Sequence, residues 1–405
     1  VPSLRTRVAI IGAGPAGLVL ANLLARAGTD CVVLERHSRA AVERRPRAGL
    51  VEHRVVRLLA AHGLADGLIA GGVPHGWCDF LCRGRLLRLD YAALGGAGHW
   101  VYPQQLLVRD LIAALEAAGT PPLFARAAVG IDDTPGAPLT VRCADGLTVA
   151  CDLAVGCDGP LGPSRTALPA AVRAGRSARR HPYDWLAVLA EVDRPVPGVV
   201  YGVHAAGFAG MMPRSPRLAR FYLQCPPGDT AATWPPGRIT AALRHRLDGA
   251  DLPRIGAVTE ARVLRMRSEI TAPMGHGRLL LAGDAAHVLT PCGAKGMNLA
   301  IADAAALAAV IASPTAAGPA AAYSARRLPD VRRTQAFSGR LLRLLHLPAA
   351  HGADRDRALG RRLAAIEHLV TPGPRATAFA RAYAGAADLP ETTESTHNVR
   401  YRPMP

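Results

Sequence analysis

The sequence predicts an α/β fold with a Rossmann-like nucleotide-binding domain, an inserted mixed β-sheet domain and a helical C-terminal segment, and three observations carry that expectation. Arg7 to Ile11 is an apolar strand that runs into Gly12-Ala13-Gly14-Pro15-Ala16-Gly17, then a helical pattern from Leu18 to Ala27, then a second apolar strand, Cys31 to Leu34, ending at Glu35. Two further buried-strand patterns, Ala154 to Cys157 and Leu279 to Ala282, stop at the acidic turns of Asp158 and Asp284, where open α/β sheets receive their ligands. Between them, Trp185 to Val192 and Arg217 to Gln224 read as longer strands of a mixed or antiparallel sheet, and residues 320 to 383 are helical by pattern.

At 405 residues the chain exceeds what one hydrophobic core usually serves, so a composite domain or two domains are expected. No apolar run approaches the ~18 residues of a membrane span, and glycines interrupt the N-terminal apolar stretch where a signal peptide would be continuous. A cytoplasmic protein without a membrane partner is therefore expected. The formal charge of +17 does not indicate nucleic-acid binding, because Lys295 is the only lysine and the arginines are scattered among Ala, Gly and Pro with no zinc-finger spacing or basic helix. Eight cysteines without a CxxC pair read as reduced thiols, and no metal is expected.

Along the chain, the first strand, GxGxxG and helix make a dinucleotide fingerprint in its required context. Gly12 permits the tight turn, Gly14 lets backbone approach a pyrophosphate, Gly17 lets helix and strand pack, and Glu35 accepts from a ribose diol. A basic loop, Glu43 to Leu50, follows, with Arg47 beside a glycine as the choice for a pyrophosphate contact. A helix is predicted from about Glu52 to Ala61, a hairpin over 73–91 that includes His75, and a helix from Leu106 to Ala118 after Val101-Tyr102-Pro103-Gln104. Strands are predicted at Leu139 to Arg142 and Leu147 to Cys151. In Gly293-Ala294-Lys295-Gly296 the glycines allow backbone N–H groups to approach a flat or anionic ligand before a helix that begins at about Met297. The polar tail after Pro390 is expected to be loose.

The segments GAGPAG (12–17), CDGPLGPSR (157–165) and RLLLAGDAAHVLTPCGAKGMNLA (278–300) resemble those of the single-component FAD-dependent aromatic hydroxylases. RPRAGLVEHRVVRLL (45–59), VYPQQLLVRDL (101–111), VYGVHAAGFA (200–209), PRSPRLARFYLQ (213–224) and AYAG near the C-terminus are similar to the branch that acts on 4-hydroxybenzoate. The resemblance implies a composite FAD-binding domain over 1–72, 97–180 and 268–320, a substrate-binding sheet domain over 73–96 and 181–267, a helical segment over 321–390 and a tail over 391–405. It implies non-covalent FAD held by Gly12, Gly14, Gly17, Glu35, Arg36, Arg45, Arg47, Gln104, Asp158 and Asp284, with the ring edge near Met297 and Asn298. NAD(P)H would be a transient co-substrate, and O₂ would form a flavin C4a-hydroperoxide that hydroxylates a small aromatic acid ortho to a phenolic hydroxyl. A homodimer is possible on this reading.

By the same resemblance Arg214 pairs with a substrate carboxylate, Tyr222 is its hydroxyl partner, and the Pro291 carbonyl lies close to the ring. Tyr201 bonds the phenol oxygen, Tyr383 continues the chain of hydroxyls, and His75 passes the proton to solvent. Four residues depart from the family pattern. Met212 stands where a serine helps to hold the carboxylate, Pro160 and Leu161 stand where a histidine helps to hold the nicotinamide, and Cys292 replaces a threonine. These leave open 4-hydroxybenzoate or a substituted relative, an aminobenzoate or larger secondary-metabolite aromatic, and NADH or NADPH. A flavin halogenase would need a catalytic lysine, and the single one is in the GAKG turn. A flavin-binding dehydrogenase or non-catalytic flavoprotein would leave Arg214, Tyr201 and Tyr383 without a task.

Overall fold

The computed structural model describes residues 2–45, 49–313, 316–347 and 352–385. Arg47 and the tail after Pro390 lie outside the described residues. The elements that frame the site are β1 (Ser3–Ile11), α1 (Pro15–Arg26), β2 (Cys31–Glu35), α2 (Gln104–Ala117), β3 (Thr148–Gly156), β4 (Leu279–Leu281) and α3 (Lys295–Ala312). The strands β4-β3-β1-β2 pair in parallel in that order, and Leu123–Phe124 extends the row beyond β2. Val8 to Ile11, Val33, Leu34, Ala154, Val155 and Leu279 to Leu281 are all buried, because helices cover both faces of a parallel sheet.

Two strands expected separately, at 147–151 and 154–157, form the single strand β3. It pairs with β1 throughout, from Ser3 opposite Thr148 to Ile11 opposite Gly156. Asp152 interrupts the apolar pattern only because it lies on the exposed half of the strand. The hairpin expected over 73–91 is shorter, with Trp77–Cys82 and Arg85–Asp90 joined through Arg83 and Gly84, both at positive φ as a two-residue hairpin turn requires. Val73–His75 leaves that hairpin to pair with His99–Val101 in a separate three-stranded sheet.

A seven-stranded sheet runs in the order Ile255–Leu264, Asp184–Val192, Leu218–Cys225, Ala209–Ser215, Val199–Val203, Trp77–Cys82, Arg85–Asp90. Only its Val199–Val203 and Trp77–Cys82 pair is parallel. One face packs on the helix Pro236–Arg246 through Leu186, Val188, Phe221 and Leu243. The other face meets the C-terminal helices Pro319–Leu345, Gly352–Val370 and Pro374–Ala384 in an aromatic core of Trp185, Tyr201, Phe208, Phe337 and Tyr383. Among the described residues one stretch, Cys292–Ala312, is long and apolar enough to cross a membrane, where the sequence reading anticipates none; 67% of it is buried inside the protein. Its apolarity belongs to α3, which packs against α1.

Candidate functional site

The turn from β1 into α1 forms a cradle open on one side. Gly12 has φ +110°, and a Cβ there would lie 2.4 Å from the Cys157 carbonyl oxygen; a Cβ on Gly17 would lie 2.0 Å from the Gly12 carbonyl oxygen. Gly14 differs, since a Cβ there meets nothing within 4 Å. Among the described residues the first-turn N–H groups of α1 and this glycine are therefore left open, as an anion-binding helix N-terminus would be. Glu35, at the end of β2, accepts from the backbone N–H groups of Ala13 at 2.8 Å and His37 at 2.9 Å. Those bonds fix its carboxylate at the rim, and each oxygen keeps a lone pair for a ribose hydroxyl.

The two strand-end aspartates complete the donor set. Asp158 accepts from Ser164 N at 2.9 Å with one oxygen, while its Oδ1 is buried without a partner among the described residues. Burial pushes its carboxyl up. Asp284 is exposed on a turn whose Gly283, at φ +58°, sits between Ala16 of α1 and Ala300 of α3. Asp303 holds that turn by accepting from Gly283 N at 3.0 Å. An open glycine turn, an orphaned buried carboxylate oxygen and an exposed strand-end carboxylate fit the extended nucleotide expected from the sequence.

Arg36 is exposed and donates to the neighbouring His37 ring at 3.1 Å, Arg45 is exposed at the end of its helix, and Gln104 opens α2 half-buried. At the start of α3, Ala294 has φ +53° and leaves the helix N-terminus free beside Met297. The Asn298 side chain is consumed structurally. It accepts from Glu52 N at 2.8 Å and donates to the carbonyls of Leu50 and Ala294, both at 3.0 Å, so only backbone is available there to a flavin edge.

Lys295, read from sequence only as part of a turn, is 2% exposed and donates to Glu52 Oε1 at 2.7 Å and to the Tyr383 carbonyl. Arg54 donates to the other Glu52 oxygen at 2.6 Å. Burial disfavours the Glu52 carboxylate, yet the two cations outweigh it and hold its pKa below the usual range.

The residues expected from the sequence to meet a substrate share one face of the seven-stranded sheet. Tyr201 lies opposite Gly210 and Gly210 opposite Tyr222, while Met212 lies opposite Arg220. Alternation along each strand puts all of these on the same side. Arg214 falls at a register shift between Pro213 and Ser215, the re-aiming that a bulge produces. Met212, Arg214, Arg220 and Tyr222 line one pocket together with Leu50, Val101, Val199 and Ala294. Arg220 pairs with Glu260 at 3.3 Å; no carboxylate pairs with Arg214 among the described residues, and burial pushes its pKa down to about 10. A half-buried guanidinium that forms no ion pair among the described residues is chemically suited to an anion. The Pro291 carbonyl accepts from Ala294 N at 3.0 Å within its own turn.

Tyr201 and Tyr383 join hydroxyl to hydroxyl at 2.8 Å, both buried, and burial drives both phenols well above their usual range. His75 does not reach solvent itself. It is 5% exposed, its Nε2 has no hydrogen-bond partner among the described residues, and burial lowers its pKa to about 4. Between it and Tyr383 stand Tyr91 and His99, with ring centroids 4.8 and 5.5 Å from Tyr383. Strand pairing also sets His99 directly opposite His75. Sequence reasoning passed over Glu52, Arg54, Tyr91, His99 and Gln105. For Glu52 a signal existed in its partner, since one lysine among so many arginines marks a position where a guanidinium does not serve.

A family described as FAD binding domain matches residues 5–338. The chain is 35% identical over 352 residues to "p-hydroxybenzoate hydroxylase" of Acinetobacter baylyi, covering 85% of this chain and 87% of that protein. It is 28% identical over 371 residues to "3-amino-4-hydroxybenzoate 2-monooxygenase" of Streptomyces cremeus, covering 87% and 91%. Of some longer relatives the chain spans 55%. A solved structure of a Diels-Alderase from pyrroindomycin biosynthesis superposes with a TM-score of 0.75 at 22% identity, covering 94% of this chain and 80% of that one, which is a likeness of fold alone.

Proposed function

The chain belongs to the FAD-dependent aromatic hydroxylases, and from that premise we propose that it hydroxylates a small aromatic acid ortho to a phenolic hydroxyl, with NAD(P)H and O₂ as co-substrates. 4-Hydroxybenzoate or a substituted relative is the substrate this reading favours, supported by the likeness to the Acinetobacter baylyi protein. The carrying observation is the buried Tyr201–Tyr383 hydroxyl pair on the same side of the sheet as Arg214, which lacks a carboxylate partner among the described residues.

FAD, when bound, supplies the redox chemistry, taking electrons from the nicotinamide and activating O₂. This chain's residues orient the ring and control one proton. Arg214 holds the carboxylate by a charge-assisted contact, and Val101, Val199 and Leu50 keep the ring in an apolar slot that excludes water. Tyr201 takes the phenol proton as its own passes to Tyr383, and the proton of Tyr383 leaves past His99 and His75 to solvent. Burial makes a negative charge on either tyrosine costly, so the proton moves through the pair and does not rest there. The resulting phenolate raises electron density at the ortho carbon, where an electrophilic oxygen attacks.

The holoprotein should oxidise NADH or NADPH much faster when 4-hydroxybenzoate is added, and release the 3,4-dihydroxy acid. A panel of hydroxy- and aminobenzoates run beside it tests a second reading, an amino-substituted or larger ring, which Met212 in the pocket favours. Turnover of no aromatic acid in that panel would overturn the proposal.

A further inference from the structure

We propose that Gln105 is the second arm of the carboxylate clamp, and that it takes over the polar contact absent at Met212. This rests on the reading of Arg214 as an anion site. Gln105 sits in the first turn of α2, half-buried, and its Oε1 accepts from Arg214 Nη2 at 2.5 Å. That bond crosses from the nucleotide-binding layer to the seven-stranded sheet and fixes one prong of the guanidinium fork. With the amide oxygen committed to Arg214, the amide nitrogen is left with two N–H donors and no hydrogen-bond partner among the described residues.

An amide that accepts from a guanidinium has its donors beside those of the guanidinium. A carboxylate drawn to Arg214 beside this bond would meet Arg214 N–H with one oxygen and Gln105 N–H with the other, in place of a bidentate fork plus a hydroxyl. Met212 cannot contribute a donor, since a thioether has none. The arrangement favours a planar carboxylate conjugated to the ring, because donors from two rigid planar groups converge on it, and it selects against a neutral substituent at that position.

Dissociation constants measured on the holoprotein by perturbation of the flavin absorbance test this, with 4-hydroxybenzoate and with 4-methylphenol, the same ring without the carboxylate, as probes. Q105L should weaken 4-hydroxybenzoate about tenfold, the loss of one charge-assisted hydrogen bond, and leave 4-methylphenol within about twofold. In turnover the loss should appear in KM with kcat kept. Q105E should be more severe, on the order of a hundredfold for the benzoate, because its carboxylate occupies Arg214. Equal weakening of both probes by Q105L would mark a merely structural residue, and unchanged benzoate binding would remove Gln105 from the site; either result overturns the proposal. If the unsubstituted protein binds no benzoate at all, the anion-site reading fails first, and the Gln105 assignment falls with it.

Discussion

Arg214 is half-buried, and no carboxylate among the described residues forms an ion pair with it, so on the proposed function an incoming anion would offset its desolvation. Arg214→Ala should accordingly raise the dissociation constant of the aromatic acid by about a hundredfold or more, since removing one partner of a desolvated pair costs ~2–5 kcal/mol; titration of the holoprotein checks it. Tyr201→Phe keeps the ring and the packing against Phe80 and Phe208 but removes the hydroxyl bonded to Tyr383, which the proposed relay requires. The variant should bind substrate and consume NAD(P)H, with most of the reducing equivalents appearing as H₂O₂ instead of hydroxylated product. Comparing oxygen consumed with product formed reads this directly, and full coupling at the unsubstituted rate would refute the relay.

The glycine turn between β1 and α1 separates what the fold needs from what the ligand needs. Gly14 has φ −79°, a value any residue adopts, and space around its missing Cβ. Gly14→Ala should fold with an unchanged apoprotein Tm yet retain FAD poorly, because the methyl occupies only the volume reserved for the ligand. Gly17→Ala should instead lower the Tm of the apoprotein, since its Cβ would lie 2.0 Å from the Gly12 carbonyl oxygen and force α1 away from β1. Thermal melts of both apoproteins and flavin content after gel filtration distinguish the two. Asp284→Ala belongs with Gly14→Ala: its carboxylate is exposed on the turn after β4, so its loss should reduce flavin retention without a comparable loss of stability.

Across the whole molecule, buried charges and neutral histidines set how stability depends on pH. Burial lowers His75 to about 4 and His346 to about 3, and His346 is held neutral as the acceptor of the Trp185 indole N–H at 2.8 Å. Both bind fewer protons folded than unfolded at mildly acidic pH. Their stabilising contribution is complete above the unfolded value of about 6.5 and declines as pH falls toward their folded values, by up to about 1.4 kcal/mol per pH unit each. Denaturant midpoints should therefore fall from pH 7 to pH 4.5; a flat profile would place both histidines in solvent. Glu52 acts in the same direction at lower pH, its lowered pKa giving stability that is present above the unfolded carboxylate value of about 4.3 and lost in acid. Lys295→Met should cost roughly 3–5 kcal/mol at neutral pH, because Glu52 is left buried with one cation fewer, and Lys295→Met combined with Glu52→Gln should recover part of that loss.

The sequence alone determined the parallel sheet, the glycine turn, Glu35 and the two strand-end aspartates, because these depend on local rules: a glycine at a turn, an acid at a strand end, an apolar run covered on both faces. Family resemblance supplied the roles expected of Tyr201, Tyr383 and Arg214, and three-dimensional packing was needed to bring the first two within 2.8 Å, although 182 residues separate them. Nothing local marks Gln105 as the partner of Arg214, His99 as the neighbour of His75, or Glu52 as the counter-ion of Lys295. Each lies in a short strand or first helical turn whose pattern is the same whether its side chain faces solvent or a buried charge. Which of these it faces is fixed by how the seven-stranded sheet and the C-terminal helices close over the nucleotide layer, a long-range packing that decides which polar groups lose water and must find one another.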